Sequence, residues 1–158
     1  MKTFIQNGQF EVVNGGWGES DQATPNYEDL INNLMIGHQW MQKEFGVVPK
    51  VSWDMRTPGH SSTNSRINAQ LGYHAQFFSQ VDESLKQNLL KAENMGMNFI
   101  WQPASSNFGD KYQIFTSIVH GNGCQPGGQF FDVNGQGVFG ETNDPFVADT
   151  KLRDFNAQ

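Results

Sequence analysis

The stretch from Lys50 to Phe78, KVSWDMRTPGHSSTNSRINAQLGYHAQFF, decides the fold. Lys50-Val51-Ser52-Trp53 is a short strand candidate, cut off by the loop Asp54-Met55-Arg56-Thr57-Pro58-Gly59, where proline and glycine break regular structure. His60 to Leu71 then reads as a helix. It is opened by Ser61-Ser62-Thr63, whose hydroxyls can accept from the free amides of a first helical turn, and it is closed by Gly72. Tyr73 to Phe78 returns to strand composition. Strand, loop, helix and strand at this spacing make a βαβ unit, which joins two parallel strands.

The pattern continues on both sides. Toward the N-terminus, Phe10-Glu11-Val12-Val13 is a strand candidate closed by the turn signal Asn14-Gly15-Gly16. A helix is predicted from Asp21, with Pro25 in its first turn. Its apolar residues Tyr27, Leu30, Ile31, Leu34, Met35, Met41 and Phe45 keep a helical period, and Gly46 ends it. Toward the C-terminus come a helix over roughly Asp82 to Ala92 and the strand candidates Phe99-Ile100-Trp101 and Ile114-Phe115-Thr116. Residues 121–158 are rich in glycine and asparagine without periodicity and read as an irregular tail. No repeat or linker divides the chain, so residues 1–158 form a single segment. The expected fold is α/β with parallel strands, either half a barrel or a small open sheet. Half a barrel leaves an edge strand unpaired. The chain therefore reads as part of a larger domain, covered by the rest of a barrel or by self-association.

Composition narrows the function. The chain has 158 residues, with 10 Lys+Arg against 16 Asp+Glu and a net charge of -6. Its basic residues are scattered, which excludes the cationic face that a nucleic-acid partner requires. No apolar run approaches the ~20 residues of a membrane span, and Met1 to Asn7 turns polar too early for a signal peptide to be visible. The single Cys124 excludes an intrachain disulfide and a multi-cysteine zinc site. Polarity is carried by 15 Asn and 15 Gln, beside 13% aromatic residues. Amides bond sugar hydroxyls and aromatic rings stack on sugar C–H faces, although both also serve as ordinary surface and core residues.

In parallel α/β folds the working residues lie on loops after the C-terminal ends of strands. Two loops qualify, Asn14 to Asp21 and Trp53 to Ser61, each with a tryptophan, a carboxylate and glycines. Asp21 is either a helix N-cap or a catalytic carboxylate. Asp54 stands too far ahead of its helix to cap it and is either a solvated loop carboxylate or a site residue. Trp17 and Trp53 either stack on a sugar or line a core edge. His60 beside Ser61 either packs at a helix start or serves a site, since adjacency alone makes no nucleophile–base pair. His38, His74 and His120 sit at no metal-ligand spacing. The glycines of 121–128 and 135–140 lack the Lys-Ser/Thr of a phosphate loop.

Taken in order, several segments resemble one family. They are Phe10 to Trp17, Asp21 to Tyr27, Gly37-His38-Gln39-Trp40, Gly59 to Asn64, Phe77-Phe78, Val81-Asp82, Phe99-Ile100-Trp101, Phe115-Thr116 and Asp144 to Asp149. The family is that of the family 38 glycoside hydrolases, retaining α-mannosidases of lysosome, Golgi and cytosol. The resemblance implies a partial (β/α)7-type barrel and a mannose-containing glycan as partner. It also implies zinc, held by a His-x-Asp-x-Gly-Trp motif, by the nucleophile Asp and by a later His. As substrate-binding residues it suggests Trp17, Asp21, Trp53, His60 and Asp82.

The departures define the expected activity. The family's nucleophile loop reads Trp-x-x-Asp-Pro-Phe-Gly-His-Ser, so Arg56 stands at the nucleophile, Thr57 at the proline and Pro58 at the phenylalanine. Gln80 stands where the family has arginine. A guanidinium is no nucleophile and repels zinc, and the other family zinc ligands have no counterpart in this chain. Asp54 is the one nearby carboxylate that a shifted loop would use as nucleophile. The expectation is an α-mannosidase segment that is inactive as written. The alternative is a catalytically dead mannose-binding or structural paralogue.

Overall fold

The computed structural model of the chain describes residues 1–57, 59–91 and 96–119. The expected tail over 121–158, together with Ala92, Pro58, His120 and Cys124, lies outside them. The elements in chain order are α1 (Lys2–Gln6), α2 (Tyr27–Phe45), β1 (Val51–Asp54), α3 (Ser62–Gln70), β2 (Ala75–Phe78), α4 (Glu83–Leu90), β3 (Asn98–Trp101), α5 (Ser105–Phe108) and β4 (Ile114–Ile118). The deciding stretch folds as its sequence dictates. Ser61 caps α3 by accepting the Asn64 amide at 3.1 Å. Gly72 follows the helix with φ +77°, a left-handed conformation that glycine adopts without steric cost. Gly46 closes α2 in the same way, its N–H bonding to the Gln42 carbonyl.

The four strands form one mixed sheet in the order β1-β2-β4-β3. β1 pairs with β2, and β2 with β4, in parallel. β3 departs from the parallel expectation and runs antiparallel to β4. The connection explains the direction. A parallel return needs a crossover, usually a full helix, whereas residues 102–113 hold only the four-residue α5, so the chain turns straight back. β4 enters between β2 and β3.

Two other expectations are corrected. Phe10 to Val13 is not a strand, because a single backbone bond, Asn14 N–H to the Val51 carbonyl at 2.7 Å, ties this region to β1 and no ladder forms. α2 begins at Tyr27 rather than Asp21. Pro25 disfavours helical geometry in the residue before it, and Asn26 takes the N-cap position with extended angles, followed by Glu28 and Asp29 in the first turn. Those two carboxylates complement the positive end of the helix.

Alternation along the strands gives the sheet two unlike faces. One carries Ser52, Asp54, Gln76, Phe78, Thr116 and Ile118, all buried, with α3 and α4 packed over it. Its centre is polar. The Gln76 side-chain amide donates to Ser65 Oγ at 3.0 Å and to Thr116 Oγ1 at 2.9 Å, while Asn68 Nδ2 donates to Gln76 Oε1 at 3.3 Å. Leu30 and Leu34 of α2 meet Ile67 of α3 in the apolar cluster beside it. The other face carries an aromatic row, with Trp53 and Phe77 ring centroids 5.6 Å apart and Phe77 and Phe115 6.3 Å apart.

Candidate functional site

The two loops singled out from sequence converge beyond the C-terminal end of β1. The first is shaped by Asn14 and Gly15, both left-handed at φ 61° and 79°. Its backbone is then pinned to α2. Trp17 N–H donates to the Asn33 carbonyl at 3.0 Å, and Gly18 exchanges two bonds with the Asn33 amide, each at 2.9 Å. His38 and Tyr73 fasten the turn from behind. Tyr73 Oη donates to the Asn14 carbonyl, and His38 Nε2 lies 2.7 Å from Tyr73 Oη and 3.2 Å from that carbonyl. Burial pushes the Tyr73 phenol well above its ordinary range, so it stays a neutral donor. His38 is thereby a structural histidine.

The second loop packs against the first. Gln22 reaches across to donate its side-chain amide to the Asp54 carboxylate, while its Oε1 accepts the Ser61 amide at 3.4 Å. Gly59 lies so near Asp21 and Ala23 that a β-carbon there would come within 2.7 Å of the Ala23 β-carbon.

Between these loops and α2 lies a cavity of about 670 Å³, with Trp17, Glu19, Trp40, Trp53, Met55 and Arg56 in its wall. Trp17 is 67% exposed and meets Trp40 edge to face at 6.5 Å. Arg56 is exposed, with no hydrogen bond or ion pair among the described residues. The arrangement offers flat apolar surfaces together with a guanidinium and a carboxylate. Such a wall can stack on a ring and bond its hydroxyls.

Of the sequence candidates, the structure brings Trp17, Trp53 and Arg56 to this cavity. Asp54 lies beneath it, 6% exposed, and accepts from Gln22 and from the Thr57 hydroxyl. Asp21 is no helix cap. It accepts the Ala23 amide at 2.8 Å and the Thr24 hydroxyl at 2.9 Å, and these bonds, with a smaller contribution from His60, hold its carboxyl below the ordinary aspartate range. His60 stacks on Phe78 at 4.1 Å and reaches the Gln80 carbonyl at 2.8 Å. Asp82 is the N-cap of α4. Trp40, Glu19 and Gln22 were not picked out as site residues from sequence. Trp40 falls outside the apolar period of α2, and a tryptophan on the polar side of a helix is the signal that marks it.

Asp82 accepts from the Ser84 hydroxyl and from the Leu85 and Ser84 amides, which lower its pKa in the folded chain. Its stabilisation is therefore complete above the ordinary aspartate pKa and is lost as pH falls through the lowered folded value. Asp82→Ala is expected to lower the melting temperature at neutral pH by a margin that shrinks in acid. A margin unchanged between neutral and acidic melts would contradict this assignment.

Comparison with known proteins gives a consistent picture. The model of the glycosyl hydrolases family 38 N-terminal domain matches residues 1–150. A lysosomal alpha-mannosidase of Dictyostelium discoideum is 36% identical over 99% of this chain, and an alpha-mannosidase of Arabidopsis thaliana is 33% identical over all of it. Alpha-mannosidase 2 of Mus musculus is 35% identical over 65% of the chain. The matches span 14%, 15% and 9% of those relatives' own lengths.

Proposed function

Because the chain belongs to the glycosyl hydrolases family 38 N-terminal domain family, we propose that its Trp17–Trp40–Trp53 cavity binds a mannose-containing glycan and that the 158-residue chain does not hydrolyse it. The observation that carries this reading is Arg56, a guanidinium in the wall of the cavity with no partner among the described residues, at the position where the family resemblance puts the nucleophilic aspartate. Retaining hydrolysis uses two carboxyl groups ~5–5.5 Å apart, one as nucleophile and one as acid and then base. A guanidinium stays charged and protonated and performs neither role. Asp54, the neighbouring carboxylate, is buried and already accepts from Gln22 and Thr57.

The donor set supports the same reading. No three His, Cys, Asp or Glu side chains among the described residues gather into a group that could hold a metal ion, and Arg56 places a cation where a metal-binding carboxylate would be needed. The chemistry left to this chain is recognition. The tryptophan faces supply dispersion and C–H stacking, and Arg56 and Glu19 supply hydrogen bonds to hydroxyls.

Two measurements test the proposal. Hydrolysis of an aryl α-mannoside, with and without added zinc, is expected to stay at background in the wild type and in Asp54→Asn. Methyl α-mannoside is expected to quench tryptophan fluorescence saturably, with affinity about tenfold lower in Trp17→Ala, as loss of one stacking partner implies. Turnover that disappears in Asp54→Asn would show that Asp54 is a working nucleophile and would overturn the inactive reading. Quenching unaffected by Trp17→Ala would remove the sugar from this cavity. Among the described residues no helix is long and apolar enough to cross a membrane.

A further inference from the structure

Arg56 carries a charge that no side chain among the described residues neutralises. Two carboxylates stand near it in the sequence or in the wall of the cavity, and neither takes it up. Asp54 accepts from Gln22 at one oxygen and from the Thr57 hydroxyl at the other. Glu19, which lines the same cavity, makes no ion pair with it. An arginine on open, convex surface is ordinarily left to water. Arg56 instead shares a concave wall with Trp17, Trp40 and Trp53, and low-dielectric walls focus the field of a charge held in a cleft. At this position the family resemblance puts an aspartate, so the side-chain charge offered to a ligand there is reversed in sign.

Sugars of different charge can be weighed against this wall. A neutral pyranose gives the guanidinium only hydroxyl acceptors. An amino sugar adds a second cation, which Arg56 repels. A carboxylate is planar with two oxygens, matches the guanidinium fork bidentately, and makes bonds roughly twice as strong as neutral ones. A doubly charged phosphate meets the same donors, but its second charge faces Glu19 and a chain of net charge -6, and repulsion grows with each charge added. Carbon 6 projects from the edge of a pyranose, so a ring lying flat on a tryptophan leaves a carboxylate at carbon 6 free to meet a group beside it. We propose, resting on the reading of this cavity as a mannoside site, that its preferred ligand is an α-mannosiduronate, the uronic acid form of the sugar, with the carboxylate held by Arg56.

The test is a titration of the full chain, followed by tryptophan fluorescence, with methyl α-mannoside, methyl α-mannosiduronate and the matching uronamide. The amide keeps the shape of the carboxylate and removes its charge. The uronate is expected to bind about tenfold more tightly than either neutral ligand at low ionic strength, with the preference narrowing as salt is added. Arg56→Gln keeps donors at the position without the charge and should bring the three affinities together. Arg56 is exposed and has no partner among the described residues, so this substitution is expected to leave folding intact. Uronate binding no tighter than uronamide binding in the wild type would overturn the uronate assignment, as would a preference that survives Arg56→Gln. In both cases saturable binding of methyl α-mannoside would leave the glycan reading standing. Absence of saturable binding by all three ligands would overturn both.

Discussion

Gly37→Ala is expected to destabilise the chain by about 3 kcal/mol or more, a large share of the stability of a small domain. Intrinsic propensity argues the other way, since Ala in a helix interior is favoured over Gly by ~1 kcal/mol. Geometry decides the sign. A β-carbon on Gly37 would fall on the Gly15 carbonyl oxygen, within 2.6 Å of Gly16 C and 2.7 Å of Trp17 N. All three obstacles are backbone, so no side chain can swing aside. Relief would require the 14–18 turn to lift off α2, breaking the Trp17 and Gly18 bonds to Asn33. Urea denaturation of both proteins measures the difference. Gly18→Ala serves as the control, since its β-carbon would meet nothing within 4 Å and its φ is not positive. A Gly37→Ala protein as stable as wild type would mean that α2 and the turn are not in this contact. The same substitution should also weaken mannoside binding, because Trp17 is held by the displaced turn.

Gln76→Leu is expected to cost about 3 kcal/mol. The replacement is apolar and similar in size, so hydrophobic transfer favours it. That gain is outweighed by what remains behind. Asn68 Nδ2 loses its acceptor, and Ser65 Oγ and Thr116 Oγ1 lose the Gln76 donor, all inside a region where Asn68 and Ser65 are 2% exposed and Thr116 0%. A buried polar group stripped of its partner costs ~1–3 kcal/mol, whereas removing both partners together is close to neutral. The double variant Gln76→Leu with Asn68→Leu should therefore recover part of the loss, and a double-mutant cycle on urea midpoints reads the coupling. Strictly additive losses would show that these amides do not act on one another.

Much of the architecture was legible because its signals are local. The capping serine at 61, the glycines at 46 and 72 and the apolar period of α2 each act within a few residues of themselves. What sequence could not reveal depends on partners far along the chain. Phe10 to Val13 has strand composition, yet a strand exists only where another backbone completes its ladder, and β1 offers it a single bond. The direction of β3 is set by the shortness of the following connection, not by the residues of the strand. Asp21 uses the same carboxylate oxygens for a turn as for a helix cap, so residue type alone does not separate the two. Within the site, the two loops were expected to pair from a common place after strands; they do pair, although only the second follows a strand. The roles of Gln22 and Trp40 were not legible, because each acts across a gap between elements. The Gln80 carbonyl that meets His60 Nε2 likewise lies twenty positions away.

The strand order carries a consequence for how the molecule is made. Chain synthesis delivers β1, β2 and β3 before β4, yet β4 occupies the place between β2 and β3. Until residues 114–118 emerge, β2 has one open edge and β3 has no neighbour in the sheet at all. Thr116, which receives a bond from Gln76, also arrives last, so the polar centre waits for the same strand. The growing chain thus passes through a stage with unpaired strand edges and exposed aromatic side chains, the features that expose nascent proteins to mispairing. β4 thus joins the sheet as an insertion between strands made before it, rather than as the last step of a zipper running from one end.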